Sequence, residues 1–199
     1  MSVEVEESSA SVAVAQRAES SERSGALSTV VRDVRLLLIA LWLGGAVFFS
    51  AAVAPSVFSV LRARNIVDAN EAAGTIVTRT LSILNTGGFI IALLLLASAF
   101  LFRQGVKRRA FVVETSSLAI VAIMTGIGQW VIAARMLSLR AAMGRPIDDV
   151  AADNPLRISF NSLHGFSVAA LGVAIIAAAV TLLVIANRGR RLITNSTRN

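Results

Sequence analysis

The chain has 199 residues, 55% of them apolar and only 16% charged, with 19 basic side chains against 12 acidic ones and a formal net charge of +7. That balance and a mean hydropathy of +0.73 exclude an ordinary soluble domain and point to an integral membrane protein. The absence of cysteine excludes disulfides, thiolate metal sites and iron–sulfur clusters, and a single histidine, His164, rules out a multi-histidine metal site within one chain. The basic excess would suit nucleic acid. The charges, however, cluster at the ends of apolar runs with no aromatic residues interleaved, as anchoring at anionic head groups requires. Membrane lipid is therefore expected as a partner, and nucleic acid is not.

Residues 1–31 are rich in Ser, Glu, Ala and Val, and Glu4, Glu6, Glu7, Glu19 and Glu22 make their beginning acidic. This composition reads as a disordered tail with at most a transient helix. An uncharged stretch, LLLIALWLGGAVFFSAAVAPSVFSVL, then runs from Leu36 to Leu61. A membrane-spanning helix needs about 20 mostly apolar residues, so a first span is expected over about 36–58. Ala52-Val53-Ala54 has the form of a signal-peptidase site, but the run is too long for a signal h-region and begins well inside the chain, which favours a retained helix. Gly44 and Gly45 are expected to admit a close helix neighbour. Pro55, lacking an N–H, kinks or ends the helix.

From Asn65 to Thr78 the sequence is amphipathic, with Ile66, Ala73 and Val77 on one face. It reads as a short interfacial helix. The second span, about 80–102, ends sharply at Arg103, and its polar residues Asn85 and Thr86 lie toward its beginning. A basic loop, RQGVKRR, precedes a third span over about 110–134, with Glu114 near its start and Gln129-Trp130 near its end. Glu114 is expected to snorkel toward the nearby basic edge. Trp42 and Trp130 read as packing residues or interfacial anchors. Helix continues through Arg135, Arg140 and Met143 until Gly144 and Pro146 stop it. After Asp148, Asp149 and Asp153, a residue at 153 or 154 can cap a fourth helix with Pro155 at its first position. That span, about 158–187, is followed by Arg188, Arg190 and Arg191 in a basic tail, 188–199. The expected fold is all-α: a four-helix transmembrane bundle over 32–187.

With four spans both termini lie on one side. Twelve Lys and Arg residues fall in or beside the terminal segments and the middle loop, and seven fall on the opposite side. The positive-inside rule then puts both termini in the cytoplasm of a cell (inner) membrane.

Several residues together resemble the transmembrane protein 205-like family of membrane proteins, a domain-of-unknown-function group. They are Trp42-Leu43-Gly44-Gly45 with Phe48 and Pro55-x-x-Phe58, Arg79 with Leu84-Asn85, Arg140, and the run Asn154-Pro155-Leu156-Arg157 with Phe160, Leu163-His164-Gly165 and Ser167. The likeness extends over about 32–186. Trp-Leu-Gly-Gly also occurs in copper-resistance D-type membrane proteins, which carry further histidines that this chain lacks. The resemblance implies a small four-helix membrane protein and no particular reaction.

Helix direction places Asn85, Gln129 and His164 at one depth, in the outer part of the bilayer, and Arg157, Asn161 and His164 share a helix face. A polar cluster between helices is expected. Its bland role is to tie helices by hydrogen bonds, and its sharper one is a small-ligand, ion or proton site. Ser162, Gly165, Ala169 and Gly172 form a small-residue stripe, read as a helix contact. With no paired histidines and no close carboxylate pair in the spans, an enzyme is not expected, and neither is a cofactor or a bound metal. A packed protein acting through lipid, another membrane protein or a second copy is favoured, with a small transporter or metal- or ion-handling protein as the alternative.

Overall fold

The computed structural model describes the backbone of residues 2–103 and 107–196, and the side chains of residues 25–103 and 107–187. Among the described residues all regular structure is helical. In chain order the elements are α1 (Ser2–Phe48), a π-helical turn (Phe49–Val53), α2 (Ala54–Ala63), α3 (Ala69–Leu101), α4 (Arg108–Gly126), a second π turn (Ile127–Ile132), α5 (Ala133–Met143), a 3-10 turn (Ile147–Asp149) and α6 (Pro155–Ser196). Four continuous helical stretches are long and apolar enough to cross a membrane: Gly25–Ala63, Ala69–Leu101, Arg108–Met143 and Pro155–Asn187.

Local chemistry explains most boundaries. Pro55 does not end the first span: the turn before it opens to π geometry, with the Ala54 N–H bonding the Phe49 carbonyl five residues back, and helix resumes to Ala63. A widened turn removes the clash of a proline ring with the carbonyl four residues earlier. Gly144, at φ +63°, stops α5 in the left-handed conformation glycine adopts without cost. At the start of α6 the Asn154 side chain accepts the Leu156 N–H at 2.9 Å, with Pro155 in the first turn, so of the two candidate caps Asn154 is the one used.

The connection between the first two spans differs from expectation. Asn65 and Asp68 both have positive φ, 51° and 56°, and make a tight turn where the sequence suggests a helix start at Asn65. From Ala69 the amphipathic stretch is helical, but it forms the first turns of α3 and runs straight into the second span rather than lying separately along the surface. At the other end of the chain the backbone is helical from Ser2, through the segment whose composition reads as a tail. Ala, Glu, Arg and Gln are good helix formers.

The four spans pack as a ring in which α1 touches α3 and α6, and α4 touches α3 and α6, so α1 and α4 face each other across the diagonal. The interior is lined by small residues, Ala46, Ala92, Ala122, Ala174 and Ala178, with Ile39, Leu95, Leu118 and Val121 filling between them. Large side chains such as Leu37, Leu41, Leu94, Phe166, Ile176 and Leu183 point outward. The alanines let the helix backbones come close, while Trp42 and Phe49 are also buried in the core. In lipid, association gains nothing from hiding leucine and gains from close backbone approach.

Candidate functional site

Polar chemistry in the spans gathers at two levels. The first lies toward the end of the bundle that carries the α3–α4 loop. Arg35 on α1 reaches across the bundle to Glu114 on α4, and its guanidinium also approaches the Leu95 carbonyl of α3 at 3.4 Å. Glu114 is fully buried and Arg35 is 7% exposed. The expectation that Glu114 snorkels outward is therefore overturned: its partner is inside. A lone charge in the membrane interior is costly, whereas a paired one facing the bundle is tolerated.

One level further along, Trp42 of α1 lies over Gly88 of α3. A Cβ added at Gly88 would stand 2.6 Å from the indole, and the indole Nε1 donates to the Leu84 carbonyl at 2.9 Å. This is the close approach that the small-residue pattern anticipates, but at Gly88 rather than at Gly44 or Gly45. Gly44 has no neighbour within 4 Å of such a Cβ, and Gly45 meets only Leu84, at 3.8 Å. Trp42 is thus a buried packing residue, whereas Trp130 is 54% exposed and stands edge-on to Phe89 with ring centroids 4.8 Å apart.

The second polar level lies at the end carrying the α2–α3 turn and the α5–α6 connection. Gln129, in the second π turn, donates its amide to Ser82 Oγ at 2.9 Å. Buried Asn85 rests against Gly128, its amide nitrogen 3.0 Å from where a Cβ would be. Above them Arg140 pairs with Glu71 at 2.9 Å, passes over Gly74 and lies 5.4 Å from the Phe160 ring centre. Asn70 links the two connections, accepting from Arg62 at 2.7 Å and donating to Asp148 at 2.9 Å. A cleft of about 530 Å³ opens beside this network between α3 and α5, lined by Thr75, Thr78, Arg79, Ser82, Ile83, Leu137 and Arg140.

The five residues read as one polar cluster are therefore parted. Asn85 and Gln129 lie on facing helices in the bundle. Arg157 folds back onto the Val150 carbonyl of the α5–α6 connection. Asn161 and His164 are on the exposed face of α6, because the bundle-facing positions of that helix are Phe160, Ser167, Leu171, Ala174 and Ala178. The stripe of Ser162, Gly165 and Gly172 lies on that outer side too: Ser162 and Gly165 are exposed, and a Cβ at Gly165 or Gly172 would meet nothing within 4 Å. From the sequence, Arg35 counts only as a flanking charge, and Arg79 and Arg140 enter through the family resemblance, without a place in a polar site. An arginine one residue ahead of an uncharged run, paired with a lone carboxylate four residues inside another, is the signal that could have found the first pair.

Helix lengths, apolar exteriors and paired interior charges define a multi-pass membrane protein. The family model described as domain of unknown function DUF4149 matches residues 37–145, just over half of the chain. The chain belongs to that family. No curated protein and no solved structure matches it.

Proposed function

We propose that this protein is a non-enzymatic membrane protein that acts through what it holds beside it in the bilayer, lipid or another membrane protein. One observation carries this reading: several interior polar side chains are engaged inside the bundle, as in Arg35–Glu114, Trp42 with the Leu84 carbonyl, and Gln129–Ser82, while a largely apolar cleft bearing Arg79, Arg140 and hydroxyl groups opens between α3 and α5. A surface so arranged meets neighbours within the membrane. The basic clusters support a cell-membrane location with both termini cytoplasmic, which sets the α3–α5 cleft on the outer side. The finer likeness to transmembrane protein 205-like proteins belongs to the same reading, since Asn154-Pro155-Leu156-Arg157 and Leu163-His164-Gly165 lie beyond the matched stretch.

A transporter is the second reading, favoured by the fully buried carboxylate of Glu114 near the start of its span, since intramembrane ionisable groups often mark ion pathways. Reconstitution into sealed vesicles separates the two. The binding reading predicts proton and cation leak no greater than in protein-free vesicles, and flux abolished by Glu114→Gln would overturn it in favour of transport.

A further inference from the structure

We infer that the cleft between α3 and α5 is a binding site for the phosphate group of an anionic phospholipid, with Arg79 as its principal anchor. The inference rests on the binding reading above and names the ligand for one site within it.

Depth comes first. The helix α3 has 33 residues, about 50 Å at 1.5 Å per residue, against a hydrocarbon core of about 30 Å. Counting about 20 residues back from Leu101 reaches Leu81. Arg79 and Ser82 thus straddle the boundary between hydrocarbon and head groups, and Thr75, Thr78 and Glu71 rise into the head-group layer. The cleft has a basic, hydroxyl-bearing upper part and, in Ile83 and Leu137, an apolar lower wall. Both apolar residues are strongly exposed, 69% and 70%, and Ile90, two turns below Ile83, continues the apolar track. This is the amphiphilic profile of a lipid, phosphate above and acyl chain below.

The donors are available. Among the described residues Arg79 makes no hydrogen bond or ion pair, so its fork of N–H groups is open to a phosphate, which guanidinium binds in bidentate fashion. Ser82 accepts the amide of Gln129 through its oxygen, which leaves its own hydroxyl proton to donate into the cleft. The Thr78 hydroxyl adds a third donor beside them. Arg140 lines the same cleft and keeps a buried Nε without a partner, although its Nη1 is held by Glu71. Glu71 offsets one of the two guanidinium charges, so the cleft carries a net single positive charge, matched to a singly charged phosphodiester. The Glu71 bond also aims Arg140 from above, leaving Arg79 as the group whose charge is uncompensated.

The test uses the full chain purified in mild detergent with equal amounts of phosphatidylglycerol and phosphatidylcholine, read by native mass spectrometry. Wild type should retain one phosphatidylglycerol per chain in preference to phosphatidylcholine. Arg79→Gln should weaken that retention about tenfold, the effect of losing a charge-assisted bidentate contact. Arg79→Lys, which keeps charge but loses the fork, should fall between them. Arg145→Gln, the same charge change on the exposed α5–α6 connection, should leave retention intact. Equal loss in Arg145→Gln and Arg79→Gln would show diffuse surface charge and overturn the site. So would retention unchanged by Arg79→Gln. Displacement of the lipid by millimolar inorganic phosphate would overturn the lipid assignment and point to a free anion. Absence of retained lipid together with silent vesicles would sink this site and leave binding of a protein partner standing, whereas flux in vesicles would strike the reading beneath it.

Discussion

Arg35 and Glu114 show how one side chain changes the meaning of another. A carboxylate four residues into a span can reach water, and an arginine just ahead of a span reads as a flanking anchor. Across the bundle diagonal they neutralise each other, with Glu114 fully buried. The energetics of such a pair are asymmetric: replacing both members with apolar residues is often neutral, whereas removing one leaves a buried charge and costs about 3–5 kcal/mol. Glu114→Leu should therefore lower the unfolding midpoint in a denaturing-detergent titration sharply. The double variant Arg35→Leu with Glu114→Leu should recover most of that loss. A double variant as unstable as the single one would show that the pair's other contacts, among them Arg35 to the Leu95 carbonyl, matter more than its charge balance.

At the scale of elements, each helix contact depends on where a backbone comes close. In α3 that place is Gly88, where the Trp42 indole occupies the space of a side chain and is held there by the Leu84 carbonyl. Gly88→Ala must displace an anchored ring and should cost about 1–3 kcal/mol, the usual penalty of overpacking. Gly165→Leu meets open space and should leave stability within about 0.5 kcal/mol of wild type, as an outward substitution does. The sequence pattern alone suggests the reverse for Gly165, so thermal melts of these two variants in one detergent decide between pattern and contact. If Gly165→Leu is the more damaging, α6 is covered by another helix in the assembled protein. The two π turns belong to this scale as well. Each inserts an extra residue into its span, so residues beyond Val53 and Ile132 face about 100° away from where a straight 3.6-residue wheel would place them.

At the scale of the molecule, the topology is the property most directly open to experiment. The basic loop and the α6 end share one side and the α5–α6 connection the other. Removing buried Arg35 from the twelve basic residues of the terminal side leaves eleven against seven, so the positive-inside argument keeps its sign. Cysteines at Ser21 and Ser196 should resist an impermeant thiol reagent in intact cells, whereas one at Ala151, exposed in the connection, should react. The opposite labelling pattern would turn the protein over and place the Arg79 cleft in the cytoplasmic leaflet.

The amino-acid sequence by itself determined the four spans, the all-α class and several boundaries. Apolar length is a property of contiguous residues, and the stops at Gly144 and at Asn154-Pro155 are made by residues acting on their own backbone. The tertiary structure decided which faces meet. Within a span nearly every face is apolar, so the 3.6-residue pattern that separates core from surface in water gives little direction in lipid. Asn85 and Gln129 were visible as polar residues near one depth, but His164 and Asn161 turn outward and Arg157 turns to the connection, which no spacing along one helix reveals. Pairing of Arg35 with Glu114, the seating of Trp42 on Gly88, and the gathering of Arg79 and Ser82 with Arg140 around one cleft each join helices through residues far apart in the chain. They exist only because α1, α3, α4 and α6 close into a ring, and α3 and α5 line one cleft at its end.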